Sequence, residues 1–176
     1  MKLRLAEIQK ERAITPQPPV VRGGALIVPI GLLRKRLGQP APQPAPDADR
    51  AEVERLAMQA VMAAEEALGR DPRDVSAQRG IGYDIESRQR TTGELFFVEV
   101  KGRADGAGDV TLTRTEVLCA LNEPEKFRLA VVVVEPGGKV HPPVYVRRFD
   151  FGQPGFAQTS SSYSRSALLA DGGEPS

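Results

Sequence analysis

Between residues 47 and 69 the apolar residues Val53, Leu56, Ala57, Ala60, Val61, Ala64 and Leu68 recur at the spacing of one helix face. Asp47 or Asp49 can cap the start, acids fill the first turn, and Gly69 follows the last. Plotted at about 100° per residue, Glu65 lies at the edge of the apolar face and Glu66 near its back. Geometry therefore favours Glu65 over Glu66 as an acid that looks into a site. The stretch DPRDVSAQRGIG that follows reads as a loop, and then the period changes. YDIESR (83–88) alternates, QRTTG is a turn, and ELFFVEVK (94–101) is a return strand, so the three predict a β-hairpin. GRADGAGD reads as a flexible loop and VTLT as a short strand. Thr113 can cap the helix RTEVLCALN, with Glu116 as its capping-box partner. FRLAVVVVE (127–135) is apolar throughout, as a strand buried on both faces must be. PGGK is a turn, PVYVRRF a further strand, and RSALL a short helix. This order of elements predicts an α/β domain, a mixed central β-sheet flanked by helices.

The pattern also locates chemistry. Strand side chains alternate faces, so Phe96, Val98 and Val100 point one way and Phe97, Glu99 and Lys101 the other. If the hairpin pairs with its apolar faces matched, Asp84 falls on the side of Glu99 and Lys101. A solvated face with an ordinary Glu–Lys ion pair is the plain alternative, because such pairs are common and contribute little. Against it stand the apolar flanks, the aspartate on the preceding strand, and the glycine-containing loop after the lysine. Such a set suits metal-assisted phosphodiester hydrolysis. Mg²⁺ (or Mn²⁺) takes oxygen ligands, often one or two carboxylates with water and phosphate. Asp84 and Glu99 can supply the carboxylates and Val100 a main-chain carbonyl. Lys101 can hold or deprotonate the attacking water, or stabilise charge on the phosphate.

Composition narrows the field. Apolar residues make up 40% of the 176 and charged residues 27%, as in a soluble globular protein. One cysteine, Cys119, and one histidine, His141, exclude an intramolecular disulfide and a four-ligand zinc site built from them. The absence of a long apolar run predicts no membrane span, and the expected location is cytoplasmic. Residues 1–46 carry eight Lys/Arg against two acids, whereas residues 47–176 carry sixteen against twenty-one. The basic head suits phosphate or an acidic partner; the rest does not suit strong solitary DNA binding. The head opens with an amphipathic helix candidate, MKLRLAEIQKERA, and ALIVPIGLL reads as a short buried strand and turn. QPAPQPAPDADR (39–50) reads as a Pro/Ala linker. No phosphate-binding Gly-Lys-Ser/Thr loop is present, which argues against NTP hydrolysis by this chain alone.

At Asp84, Glu99 and Lys101 the sequence resembles the PD-(D/E)XK nuclease superfamily, with Tyr83 standing at the position of the proline. That resemblance implies a restriction-endonuclease-like core. It also implies an acid on the first helix, carried over to Glu65, with Glu66 or Glu54 as alternatives. A closer resemblance covers roughly residues 51–170. The stretches VMAAEEALGRDPRDVSAQRGIGYDIESR, FVEVKGRADGAGDVTLTRTEVLCALN and FRLAVVVVE look like the domain named after the carboxyl-terminal part of protein NO VEIN. In bacteria that domain often closes a superfamily-two helicase, and ITPQPPVVRGGALIVPIGLL looks like the joining stretch. The resemblance implies a C-terminal piece of a longer protein with Met1 an artificial start, and a setting in DNA processing or phage defence. The expected organisation is a basic helicase-joining extension (1–38), the linker (39–50), a nuclease-like domain (51–170) and a disordered tail (171–176).

Expected partners are DNA and a superfamily-two helicase core, in cis or in trans; a homodimer is possible, since many nucleases cut both strands. Arg103 and Arg114 are candidates for gripping backbone phosphates, or else surface charges. Thr111 and Thr113 could contact phosphate, or serve strand and cap. Gln78 and Arg79 suit an exposed loop, His141 a structural or exposed position, Cys119 an inert buried thiol, and Ser160–Ser162 a low-complexity tract. The leading expectation is a Mg²⁺-dependent endonuclease or nickase; a catalytically inactive module for DNA binding or helicase docking is the alternative. A nucleotide phosphohydrolase is a third.

Overall fold

The computed structural model describes residues 32–33, 36–38, 47–105 and 108–176. The expected N-terminal helix and most of the Pro/Ala linker lie outside the described residues. The chain divides into two units, residues 1–44 and 45–176. Of the first, the Leu37 N–H bonds to the Leu33 carbonyl at 3.0 Å. The second unit contains every named element.

It begins with helix α1, Asp47–Ala67, whose start falls inside the stretch read as linker. Strands β1 (Arg70–Asp74), β2 (Ile85–Gln89) and β3 (Leu95–Ala104) follow, then β4 (Asp109–Thr113), helix α2 (Arg114–Asn122), β5 (Phe127–Val134), β6 (Val144–Val146), β7 (Ser160–Ser164) and helix α3 (Arg165–Asp171). The main sheet has the order β1-β2-β3-β5-β6. β3 and β5 are parallel and the other neighbours antiparallel, so the sheet is mixed. β4 and β7 pair separately.

One face of the main sheet packs against α1 through Ala57, Val61, Ile85, Val98, Ala130, Val132 and Tyr145. The other face carries Phe127, Leu129, Val131 and Val146 against Val117 of α2, Leu112 of β4 and Leu168 of α3. β5 is therefore buried from both sides, as its unbroken apolar run requires. Each such aliphatic side chain contributes about 1.5–3 kcal/mol when fully buried.

Two elements have no apolar signature. β1 reads RDPRD and pairs with β2 as an edge strand, which is where Pro72, lacking an N–H, is tolerated. β7 reads SSSYS and exists because it pairs with β4; its Tyr163 packs against the core there. The last residues are also engaged: Gly173 and Tyr145 exchange two main-chain hydrogen bonds, at 2.8 and 3.0 Å, where a frayed tail is expected from the sequence. Among the described residues no helix is long and apolar enough to cross a membrane.

Candidate active site

The site grows from the β2–β3 hairpin. Ile85 pairs with Val98, so Asp84 comes opposite Glu99 and the expected faces are the observed ones. The Asp84 N–H donates to the Val98 carbonyl at 3.0 Å, the last ladder bond on that side. Two residues further along β3, the Asp84 side chain replaces the ladder: its Oδ2 accepts the Val100 N–H at 2.9 Å. Successive even residues of a strand present N–H and C=O to the same side, so the Val100 carbonyl faces this open edge too. Two features hold Asp84 there. The Tyr83 ring stacks on Phe97 with centroids 4.5 Å apart. Gly82, at φ +88°, presses on α2 so closely that a Cβ would stand 2.7 Å from the Thr115 carbonyl oxygen.

Glu99 and Lys101 project towards α2, and here the structure adds a residue the sequence offered only as a cap. Lys101 Nζ lies 2.6 Å from Glu99 Oε1 and 2.9 Å from Glu116 Oε2. Glu116 is fixed by the capping box of α2: its N–H donates to Thr113 Oγ1, and its Oε2 accepts the Thr113 N–H at 3.0 Å. The capping box marks Glu116 in the sequence, but its contact with Lys101 comes only from the docking of α2 on β3.

Glu54, Asp74, Asp84, Glu99, Lys101 and Glu116 line one cleft of about 650 Å³. Glu65 does not belong to it. Its carboxylate lies at the far end of α1, where it receives Arg70 Nη1 at 3.0 Å and the Tyr145 hydroxyl at 2.6 Å. The first-helix acid at the cleft is Glu54. Eleven residues are close to three whole turns, so Glu54 and Glu65 share a side of the helix about 16 Å apart. Periodicity cannot separate them; packing does. Gly102 of β3 brings the N-terminal half of α1 over the site, since a Cβ there would meet the Val53 carbonyl oxygen at 2.9 Å.

The charges do not balance. Burial pushes the Glu99 carboxyl up to about 8, with Asp84 and Glu116 adding repulsion and Lys101 opposing. Burial also raises Asp84, although the Val100 N–H and Lys101 work the other way. Burial acts to lower Lys101, but Glu99 and Glu116 outweigh it and its ammonium is held above the usual range. Three carboxylates thus share one ammonium.

Each of Asp84 and Glu99 has one oxygen committed, to the Val100 N–H and to Lys101. Their other oxygens and the Val100 carbonyl make an all-oxygen donor set, which fits Mg²⁺ or Mn²⁺ rather than a softer metal. Among the described residues no three His, Cys, Asp or Glu side chains gather to hold a metal ion. Water and substrate would complete the shell.

The remaining predicted residues are placed as follows. Arg103 lines the cleft near Glu54, with Nε on the Asp109 carbonyl at 3.2 Å and Nη1 on the Gly102 carbonyl at 2.9 Å. Thr111 lines the cleft too, 3.1 Å from Ser162 Oγ. Thr113 caps α2. Arg114 Nη1 is spent on the carbonyls of Gly155 and Phe156, at 2.7 and 2.8 Å, and ties down that loop. His141 is exposed, 2.6 Å from Glu135. Burial pushes the Cys119 thiol up to about 11, which keeps it inert.

The family model described as Protein NO VEIN, C-terminal matches residues 53–146. That interval contains Glu54, Asp84, Glu99, Lys101 and Glu116. No curated protein and no solved structure matches the chain at a significant level.

Proposed function

The chain belongs to the NO VEIN C-terminal family, and from that premise we propose that it is a metal-dependent nuclease module of PD-(D/E)XK type, hydrolysing phosphodiester bonds in DNA. The observation that carries this reading is the convergence of Asp84, Glu99 and Lys101 at the open edge of β3. Asp84, Glu99 and the Val100 carbonyl would hold Mg²⁺ or Mn²⁺. When bound, the ion would lower the pKa of its water and offset charge developing on the phosphate. The residues of the chain do the rest. Asp84 keeps the edge of β3 open by taking the place of a strand neighbour. Glu116 and Glu99 hold the Lys101 ammonium beside the donor set, where it can orient the attacking water or stabilise the transition state. A helicase core, in cis or in trans, would deliver the DNA.

Incubating the purified chain with supercoiled plasmid in Mg²⁺, Mn²⁺ or EDTA, beside Lys101→Ala, tests this reading. Nicking or linearisation that needs metal and Lys101 supports it; cleavage that persists in the variant removes the assignment.

A second reading is a module of the same fold that docks without cutting. The acid excess of residues 47–176, twenty-one against sixteen, favours it, as does the clamping of Lys101 between two carboxylates. No cleavage with any metal, together with tight binding to a helicase core, would select it.

A further inference from the structure

Of the nine aromatic side chains in the sequence, eight are buried or half-buried. Phe156, in the loop before β7, is 98% exposed. Its neighbours in the chain behave otherwise: Phe149, Phe151 and Tyr163 pack on one another with centroids 5.2, 5.4 and 5.8 Å apart. A single exposed ring is ordinary on a free loop, but this loop is held on both sides of the ring. Arg114 Nη1 donates to the carbonyls of Gly155 at 2.7 Å and Phe156 at 2.8 Å, and the Arg114 N–H to the Thr159 carbonyl at 2.8 Å. Gln158 donates its N–H to the Gly155 carbonyl and accepts the Gly155 N–H on Oε1, both at 3.0 Å. Its Nε2 donates to the Ser160 carbonyl at 3.2 Å and to Ser161 Oγ at 2.8 Å. A ring presented by a fixed backbone has little freedom to lose on binding, so contact with it is not offset by ordering the loop.

The same contacts fix where the ring stands. Arg114 is the first residue of α2. Glu116 follows two residues on, about 3 Å along the helix axis, and reaches Lys101 Nζ at 2.9 Å. The Phe156 loop is thus fastened to the helix end that walls the cleft around Glu99. Beside it runs the β4–β7 ribbon. Alternation sends Val110 and Leu112 into the core and leaves the other face exposed, where Thr111 pairs with Ser162 and Thr113 with Ser160. Thr111 Oγ1 lies 3.1 Å from Ser162 Oγ, and Thr111 lines the cleft. From the loop to the cleft this face carries hydroxyls; its acid, Asp109, stands at the other end of the ribbon, opposite Ser164.

We infer that Phe156 is a stacking platform for an unpaired base of single-stranded DNA whose backbone crosses the hydroxyl face of the β4–β7 ribbon towards the cleft. Residues 47–176 carry twenty-one acids against sixteen bases, so this unit cannot hold a strand by neutralising its phosphates alone. Stacking on an aromatic ring needs no charge and accepts any base, since every base has a π-face. Serine and threonine hydroxyls donate to phosphate and sugar oxygens and position a backbone without reading its sequence. Inside a duplex both faces of a base are covered by its neighbours, so the ligand is a strand with unpaired bases. A protein partner fits less well. Among the described residues of this unit Phe156 is the one large hydrophobic side chain that is exposed, and a lone ring beside hydroxyls offers too little apolar area for a stable interface. The choice of DNA as the ligand rests on the nuclease reading.

The test uses the full chain in EDTA, so that cleavage plays no part. A labelled short single-stranded DNA and an abasic strand of the same length are titrated by fluorescence anisotropy against wild type, Phe156→Ala and Phe156→Trp. The sequence holds no tryptophan, so Phe156→Trp keeps a stacking face and carries the molecule's one indole. The inference predicts that Phe156→Ala weakens binding of the normal strand about five-fold or more, while wild type and Phe156→Ala bind the abasic strand alike. Phe156→Trp should bind as wild type does, with indole fluorescence quenched along the same saturation curve. No saturable binding by wild type, equal binding by Phe156→Ala, or a loss as large on the abasic strand overturns the inference. Equal strand binding together with self-association of wild type that Phe156→Ala abolishes overturns it in favour of a contact between copies of the chain. A chain that binds the strand through Phe156 but cuts no plasmid with any metal keeps this inference while the nuclease reading falls. Cleavage that needs Lys101, with strand binding indifferent to Phe156, does the reverse.

Discussion

Two buried carboxylates, Glu65 and Glu99, lie on opposite faces of one sheet, and the company each keeps is different. Glu65, 0% exposed, has one guanidinium and one phenol, so its single charge is met by a single opposite charge, although Arg70 Nε is buried without a hydrogen-bond partner. Arg70 in turn lies 3.8 Å above the Phe96 ring. Glu99, 3% exposed, shares one ammonium with Glu116 and has Asp84 beside it, and its cluster opens into a cleft. The first group is balanced in charge as folded. The second is short of positive charge, and a divalent cation would supply it. Burial alone does not mark a functional acid; an unneutralised surplus beside open space does.

The contrast can be broken at its strongest point first. Lys101→Ala should lower metal-dependent plasmid cleavage by about 10²–10⁴-fold, the range of a lost acid–base or charge-stabilising group. Glu65→Gln should leave cleavage per folded molecule unchanged, and equal losses in the two variants would erase the distinction. Stability should divide the other way. Glu65→Gln leaves Arg70 buried without a counter-charge and should cost about 3–5 kcal/mol in urea unfolding.

Glu99 sharpens the comparison through pH. Its folded value, pushed up to about 8, lies above the ordinary 4.5. The stability that this protonated carboxyl contributes is therefore full below about 4.5 and lost as pH rises through about 8. Urea unfolding of wild type against Glu99→Gln across that window should show wild type losing ground. A constant difference would mean that Glu99 titrates normally. Because a cation competes with the same proton, Mg²⁺ affinity should rise over the same interval. The smallest effect belongs to the helix cap. Thr113→Ala should lower the unfolding free energy by about 1 kcal/mol, with a smaller effect on cleavage than Lys101→Ala, since Glu116 keeps its contact with Lys101.

Much of this was legible in the chain. Alternation in YDIESR and ELFFVEVK fixed the faces of the hairpin, and the register then brought Asp84 beside Glu99. Thr113 and Glu116 announced their capping box, and β5 its double burial. What could not be read depended on long-range partners. β1 and β7 have little apolar signal and are strands because β2 and β4 pair with them. Glu65 was placed wrongly because a helix of 3.6-residue period repeats its facing after eleven residues, and only the packing of α1 on Gly102 selects Glu54. The second role of Glu116 required the docking of α2 on β3.

The most direct measurement is a Mn²⁺ titration at about pH 8, the value to which Glu99 is raised, followed by water-proton relaxation in wild type, Asp84→Asn, Glu99→Gln and Glu65→Gln. The account predicts saturable binding in wild type and Glu65→Gln, and its loss in Asp84→Asn and Glu99→Gln. Equal binding in all four, or loss through Glu65 alone, would contradict it.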